Sequence, residues 1–173
     1  MPFRPLPLVL LAVLAAAPIA VGAKPAAMAT ATIMDAAGQT VSNASVVRTG
    51  KSARLMLTVK GLTPGVHGVH FHTTGKCDAP DFKTAGGHLN PAMHQHGSMN
   101  PMGHHLGDLP NVTANAKGMV KATIPLDGAP DALKAAMMDA DGTAIVVHAG
   151  PDDYKTDPSG NSGGRIACGV LGA

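Results

Sequence analysis

The stretch from Thr74 to Pro110 constrains this chain more than any other feature. It is crowded with Gly, Pro, Asn and His, and it shows neither a strand period nor a helical one. Connections without structure become uncommon beyond about 12–15 residues in a compact domain. Something other than an apolar core must therefore order this stretch. Bound metal ions would do so, and five of the nine histidines lie inside it.

On either side, the chain reads as short strands punctuated by turns. Met28 to Met34 alternates up to the turn at Asp35–Gly38, and Val41 to Arg48 is a second run. From Ala53 to Lys60, Leu55, Leu57 and Val59 alternate with Arg54, Met56 and Thr58, the pattern of a half-buried strand. Val66 to Thr73, Gly118 to Leu126, Thr143 to His148 and Arg165 to Leu171 complete the set, and only Ala132 to Met138 reads as a helix. That order predicts an all-β antiparallel sandwich or barrel. The 173 residues suffice for one domain with its own core. With 45% apolar residues, 14% charged residues and a net charge of +2, the chain does not have the composition of a disordered one. It has no Lys/Arg run either, so nucleic acid is not among its expected partners.

Residues 1–23 have the order of a secretory signal peptide: Arg4, an apolar run from Leu8 to Ala17, then Val21-Gly22-Ala23 as a small-residue cleavage site. Pro7 and Pro18 bound the apolar run, which is shorter than the ~18–20 residues needed to span a membrane. The expected mature domain is therefore residues 24–173, periplasmic or secreted, with no membrane partner after cleavage. In such an oxidising compartment Cys77 and Cys168 are expected to form a disulfide rather than remain two buried thiols.

Two groups of histidines carry the chemistry. His70 and His72 are two residues apart on a strand, so both imidazoles leave the same face, and His148 ends another apolar strand. Imidazoles converging from strands suit copper. In the long stretch, His88, His96, His105 and Asp108 offer three nitrogens and one oxygen, a set that suits tetrahedral zinc. A single strand histidine is more often structural than ligating, and a His-rich tract can bind metals loosely.

These residues sit in segments that resemble the copper,zinc superoxide dismutases, most closely the exported bacterial branch. The segments are Gly65-Val-His67-Gly-Val-His70-Phe-His72, Gly75-Lys-Cys77, Ala85-Gly-Gly-His88-Leu-Asn-Pro91, His105-Leu-Gly-Asp108-Leu-Pro-Asn-Val112, Val146-Val-His148-Ala-Gly-Pro-Asp152-Asp153 and Gly160-Asn-Ser-Gly-Gly-Arg165-Ile-Ala-Cys168. The resemblance implies an eight-stranded Greek-key barrel with two long functional loops. It implies copper on His70, His72, His88 and His148, and zinc on His88, His96, His105 and Asp108, with His88 bridging. Asp152 would orient a ligand imidazole on each metal, and Cys77–Cys168 would tie the loop to the barrel near Arg165. The implied activity is dismutation of superoxide to oxygen and hydrogen peroxide by alternate reduction and reoxidation of copper, with His88 carrying a proton and Arg165 holding the anion. Lys76, Lys83 and Lys155 are candidates for steering the substrate. A non-catalytic metal carrier or buffer on the same barrel is the second class of function, but such proteins usually lack a copper ligand, the bridge or the arginine. The resemblance leaves a homodimer open beside a monomer.

Three histidines remain. His67 has the opposite strand parity to His70 and is expected to bond backbone at the barrel end. His94 and His104 have no assigned role. Met93, Met99 and Met102 interleave with them, as either a soft copper-loading patch or apolar filler in a chain with 10 methionines. Val69 and Leu89 stand where the family more often has aromatics.

Overall fold

A computed structural model describes Met1 and residues 27–173; the expected signal peptide lies outside the described residues. The strands, in chain order, are β1 (Ala27–Asp35), β2 (Thr40–Thr49), β3 (Ser52–Val59), β4 (Gly65–His67), β5 (Val69–His72), β6 (Val112–Ala114), β7 (Val120–Leu126), β8 (Ala144–His148) and β9 (Arg165–Val170). The helix α1 (Pro130–Met137) separates β7 from β8. Seven strands form one antiparallel sheet in the order β5-β8-β9-β1-β2-β3-β7, and β4 pairs with β6.

The expected fourth strand, Val66 to Thr73, is broken at Gly68 into β4 and β5. A Cβ at Gly68 would lie 3.0 Å from the Ser162 Cβ, so a close approach by the β8–β9 loop explains the glycine. Counted as one bent strand, β4 and β5 bring the total to the expected eight. β4 prolongs β5 at one edge of the large sheet, and β6 runs into β7 at the other edge through a turn at Asn115–Met119. The small sheet thus joins the two edges, and the antiparallel sheet curls on itself. β6 was not foreseen, because three residues are too few to show a period.

Alternation builds the core. On β3, Ala53, Leu55, Leu57 and Val59 are buried while Ser52, Arg54 and Met56 face out. Val69 and Phe71 of β5 join Ile33, Val46, Ile145 and Val147 inside, and α1 adds Leu133 and Met137. Each such side chain contributes about 1.5–3 kcal/mol when fully buried. α1 begins earlier than expected because Pro130 occupies its first turn, where the missing N–H costs nothing. Among the described residues no helix is long and apolar enough to cross a membrane.

β8 is buried along its whole length. Its outer face, Ala144 and Val146, packs with Phe82, Ala85 and Cys168, and Cys77 lies against them. The Cys77–Cys168 disulfide is formed, joining the start of the long loop to β9. Two crossovers, residues 73–111 and 149–164, carry the remaining histidines and the acidic groups.

Candidate metal centre

With Val69 and Phe71 turned into the core, pleating sends His70 and His72 out of the opposite face of β5. The neighbouring β8 pairs antiparallel with β5 and places His148 beside them. The long loop then returns twice along the edge of β5. Isolated bridges join His72 to His88 and His70 to Asp108. Three backbone bonds close a ring there: Phe71 N–H to Gly107 O (3.0 Å), Gly107 N–H to Leu89 O (2.8 Å) and Leu89 N–H to Phe71 O (2.8 Å). A Cβ on Gly107 would come within 2.3 Å of Phe71 O, so a side chain there would break the ring. The loop is thus not structureless. Backbone bonding alone already anchors the segments that carry His88 and Asp108.

Two four-residue clusters result. His70, His72, His88 and His148 bring one ring nitrogen each within 4.8 Å of one another, as do His88, His96 and His105 with the Asp108 carboxylate. All seven residues predicted as ligands fall into these clusters, and His88 is the one residue common to both.

The second nitrogen of most rings is fixed. His70 Nε2 donates to Asp152 Oδ2 (2.7 Å), His72 Nδ1 to Gly86 O (2.9 Å), His96 Nε2 to Asp152 Oδ1 (2.9 Å) and His148 Nδ1 to Gly163 O (3.2 Å). Each bond sets a tautomer that leaves the other nitrogen as a bare lone pair. Of these inward atoms, His70 Nδ1, His72 Nε2 and His148 Nε2 are buried without a hydrogen-bond partner, as is His88 Nε2, while His96 Nδ1 has only the Asp108 carboxylate beside it. Each unsatisfied buried polar atom costs about 1–3 kcal/mol, so four of them aimed inward are explained by bound cations.

In the second cluster the Asp108 Oδ1 lies 2.8 Å from His88 Nδ1, 3.0 Å from His96 Nδ1 and 3.1 Å from His105 Nδ1, and the His88 and His105 Nδ1 atoms are 3.4 Å apart. Tetrahedral zinc with ligands at about 2.0–2.1 Å needs edges of about 3.3–3.4 Å, close to this set. The first cluster, four imidazole nitrogens and no carboxylate, suits copper.

Burial and neighbours tune these groups. Burial lowers His70, and it takes His72 down to about 2 and His88 and His148 to about 4, with the nearby Arg165 charge adding to the effect at His72 and His148. All four are neutral at pH 7 and free to ligate. Burial also pulls His96 down, but Asp108 and Asp152 together outweigh it and raise the ring to about 9. Burial raises Asp108 and Asp152, but their imidazole partners together with the Gly97 and Tyr154 backbone N–H groups lower them more, so both stay well below the usual carboxylate range.

Arg165 reaches back from β9, donating from Nη1 to Phe82 O (2.7 Å) and from Nη2 to Gly86 O (2.6 Å). The Gly86 carbonyl therefore serves both the guanidinium and His72. His67 bonds backbone as its parity predicted, with Nδ1 2.7 Å from His148 O and Nε2 2.8 Å from Thr63 O.

Sequence reasoning gave no role to two residues that hold Asp152. Asn111 exchanges bonds with the Asp152 backbone through Oδ1 and Nδ2 (both 2.9 Å), and its own N–H donates to the Tyr154 hydroxyl oxygen (2.7 Å). Tyr154 N–H in turn donates to Asp152 Oδ1 (2.6 Å). Asn111 stood inside a quoted segment, and Tyr154 lies in the Asp152-Asp153-Tyr-Lys-Thr-Asp157 stretch that resembles the exported bacterial branch.

The model of the copper/zinc superoxide dismutase family matches residues 40–171. The chain belongs to that family. Among curated superoxide dismutases of this Cu-Zn class, one from Aquifex aeolicus is 42% identical over 144 residues, covering 82% of this chain and 85% of the relative. One from Caulobacter vibrioides is 45% identical over 149 residues, covering 83% and 84%. Among solved structures, a superoxide dismutase-like protein from Bacillus subtilis superposes with a TM-score of 0.76 at 38% identity, covering 82% of this chain and 97% of that one. The Cu/Zn superoxide dismutase from Brucella abortus gives 0.66 at 28% identity, covering 83% and 98%. The all-β barrel is thus the fold of a copper/zinc superoxide dismutase, and copper and zinc are the metals its family implies.

Proposed function

We propose that the chain is a superoxide dismutase, converting two superoxide anions and two protons into oxygen and hydrogen peroxide. The observation that carries this reading is His88, the one side chain shared by a four-nitrogen cluster and a three-nitrogen, one-carboxylate cluster. His70, His72, His88 and His148 would hold copper, and His88, His96, His105 and Asp108 would hold zinc. When bound, copper supplies the one-electron redox change, while zinc, with its filled d shell, supplies fixed charge.

The protein's own groups do the rest. His88 offers its Nδ1 to the zinc side and its Nε2 to the copper side, so it can take or release a proton at Nε2 while held at Nδ1. Asp152, bonded to one ring of each cluster, keeps both imidazoles in the ligating tautomer. Arg165 is clamped by two carbonyls, and its remaining N–H groups have no protein partner among the described residues. It can bind and orient a small anion beside His72 and His148. Lys83 is paired with Asp81 at 2.8 Å, which leaves Lys76 and Lys155 as the stronger steering candidates.

Residues 1–23 are read as a signal peptide and residues 24–173 as the exported domain, acting in the periplasm or outside the cell. The test is superoxide decay by stopped flow, with residues 24–173 reconstituted with copper and zinc. A rate constant near the diffusion ceiling of about 10⁸–10⁹ M⁻¹s⁻¹, lost when copper is withheld, is expected. Full metal loading without catalysed decay would overturn the reading in favour of a metal carrier or buffer.

A further inference from the structure

The methionines of the long loop are not core filler. Met93, Met99 and Met102 are 89%, 68% and 76% exposed, whereas Met28 and Met137 are buried. Exposed thioethers without an apolar partner gain nothing from burial, so their clustering in ten residues calls for another role.

Two tight turns set the residues next to two of them against each other. In the first, Asn90 clamps residues 93–94: its carbonyl accepts from Met93 N–H (3.2 Å), its Oδ1 accepts from His94 N–H (3.0 Å), and its Nδ2 donates to His94 O (2.8 Å). In the second, Asn100 clamps residues 102–103, accepting from Met102 N–H at Oδ1 (3.0 Å) and from Gly103 N–H at its carbonyl (3.2 Å). The His94 ring lies against Gly103, where a Cβ would come within 2.8 Å of His94 Nδ1, and Gly103 has a φ of +98°. His94 Nδ1 donates to His104 O (3.0 Å), which fixes the tautomer and leaves Nε2 as a lone pair. The fold thus packs one oriented imidazole on Gly103, with the exposed Met93 preceding it in sequence and the exposed Met102 preceding the glycine.

We propose that Met93, His94 and Met102 form a surface site for Cu(I), separate from the buried centre. Two thioethers and an imidazole make a soft donor set that prefers Cu(I) to zinc or Cu(II). The site lies on the loop that carries His96 and His105, so it presents copper at the rim of the buried centre. Binding there does not depend on whether that centre turns over superoxide.

The experiment is an anaerobic titration of the copper- and zinc-loaded protein with Cu(I) against a chromophoric Cu(I) chelator, repeated with Ag(I) as a redox-inert probe. One equivalent beyond the filled centre is expected, with copper–sulfur scattering in X-ray absorption. The extra equivalent is expected to vanish in the Met93→Leu, Met102→Leu double variant and in His94→Ala, and to persist in Met56→Leu, which removes an exposed thioether on β3. Leucine conserves volume and these positions are exposed, so unchanged copper and zinc in the buried centre reports an intact fold. No extra equivalent in the parent protein, or its retention in either loop variant, would overturn the proposal.

Discussion

The Asp152 carboxylate accepts from His70 with one oxygen and from His96 with the other, so a single side chain sets a ring in each cluster. Asp152→Asn keeps the shape but can offer only one acceptor atom. Metal affinity at both sites is expected to fall by about 10–100-fold, measured by competition with chelators. Arg165 poses a different question, because its charge and its two carbonyl bonds can be separated. Lysine keeps the charge but loses the planar fork that grips Phe82 and Gly86. Arg165→Lys is expected to turn over superoxide more slowly than the parent and faster than Arg165→Ala, with copper content unchanged in both; equal rates in all three would remove its guiding role. His70 and His72 were legible in the sequence because a strand's period of two sends both to one face. Asn111 and Tyr154 had no such signal. Their partner Asp152 lies far along the chain from Asn111, and the contact exists only once the two loops meet.

The strands that alternate cleanly, β3 above all, were readable from sequence, since a half-buried strand writes its burial into every second residue. The break at Gly68 was not, because what crowds it is Ser162 and Asp152 of the β8–β9 loop, far away in the chain. The segment at 74–87 is tied to β9 by the Cys77–Cys168 bond, with partners separated by 91 residues in sequence. Replacing both cysteines by serine is expected to cost up to about 4–5 kcal/mol on the chain-entropy account, measured by urea unfolding. Arg165 loses its anchors if that segment lifts, so turnover should fall in the same variant even where histidine metal binding persists.

Across the whole molecule, metal-free stability should depend on pH in an uneven way. His72, His88 and His148 have folded values of about 2, 4 and 4 against 6.5, and His70 is lowered too. The unfolded chain therefore binds protons first as pH drops, and stability falls from 6.5 down through about 4. His96 works the other way: raised to about 9, it stabilises fully below 6.5, and that contribution is lost as pH rises through 9. With four groups against one, the acid limb is expected to be the steeper. Urea midpoints of the metal-stripped protein at about pH 5, 6.5 and 9 would show it, and a flat profile would refute it.

The ring of backbone bonds among Phe71, Leu89 and Gly107 is made by main-chain atoms alone and uses no metal ligand atom. Amide exchange in the metal-stripped protein should therefore be two-speed within one loop. The protons at Leu89 and Gly107 would persist with the barrel, while those of the methionine turns are traded quickly for deuterium. The chain would then await its metals with all four imidazoles of the first cluster and His88 and Asp108 of the second already in register, and uptake would finish a site rather than fold one.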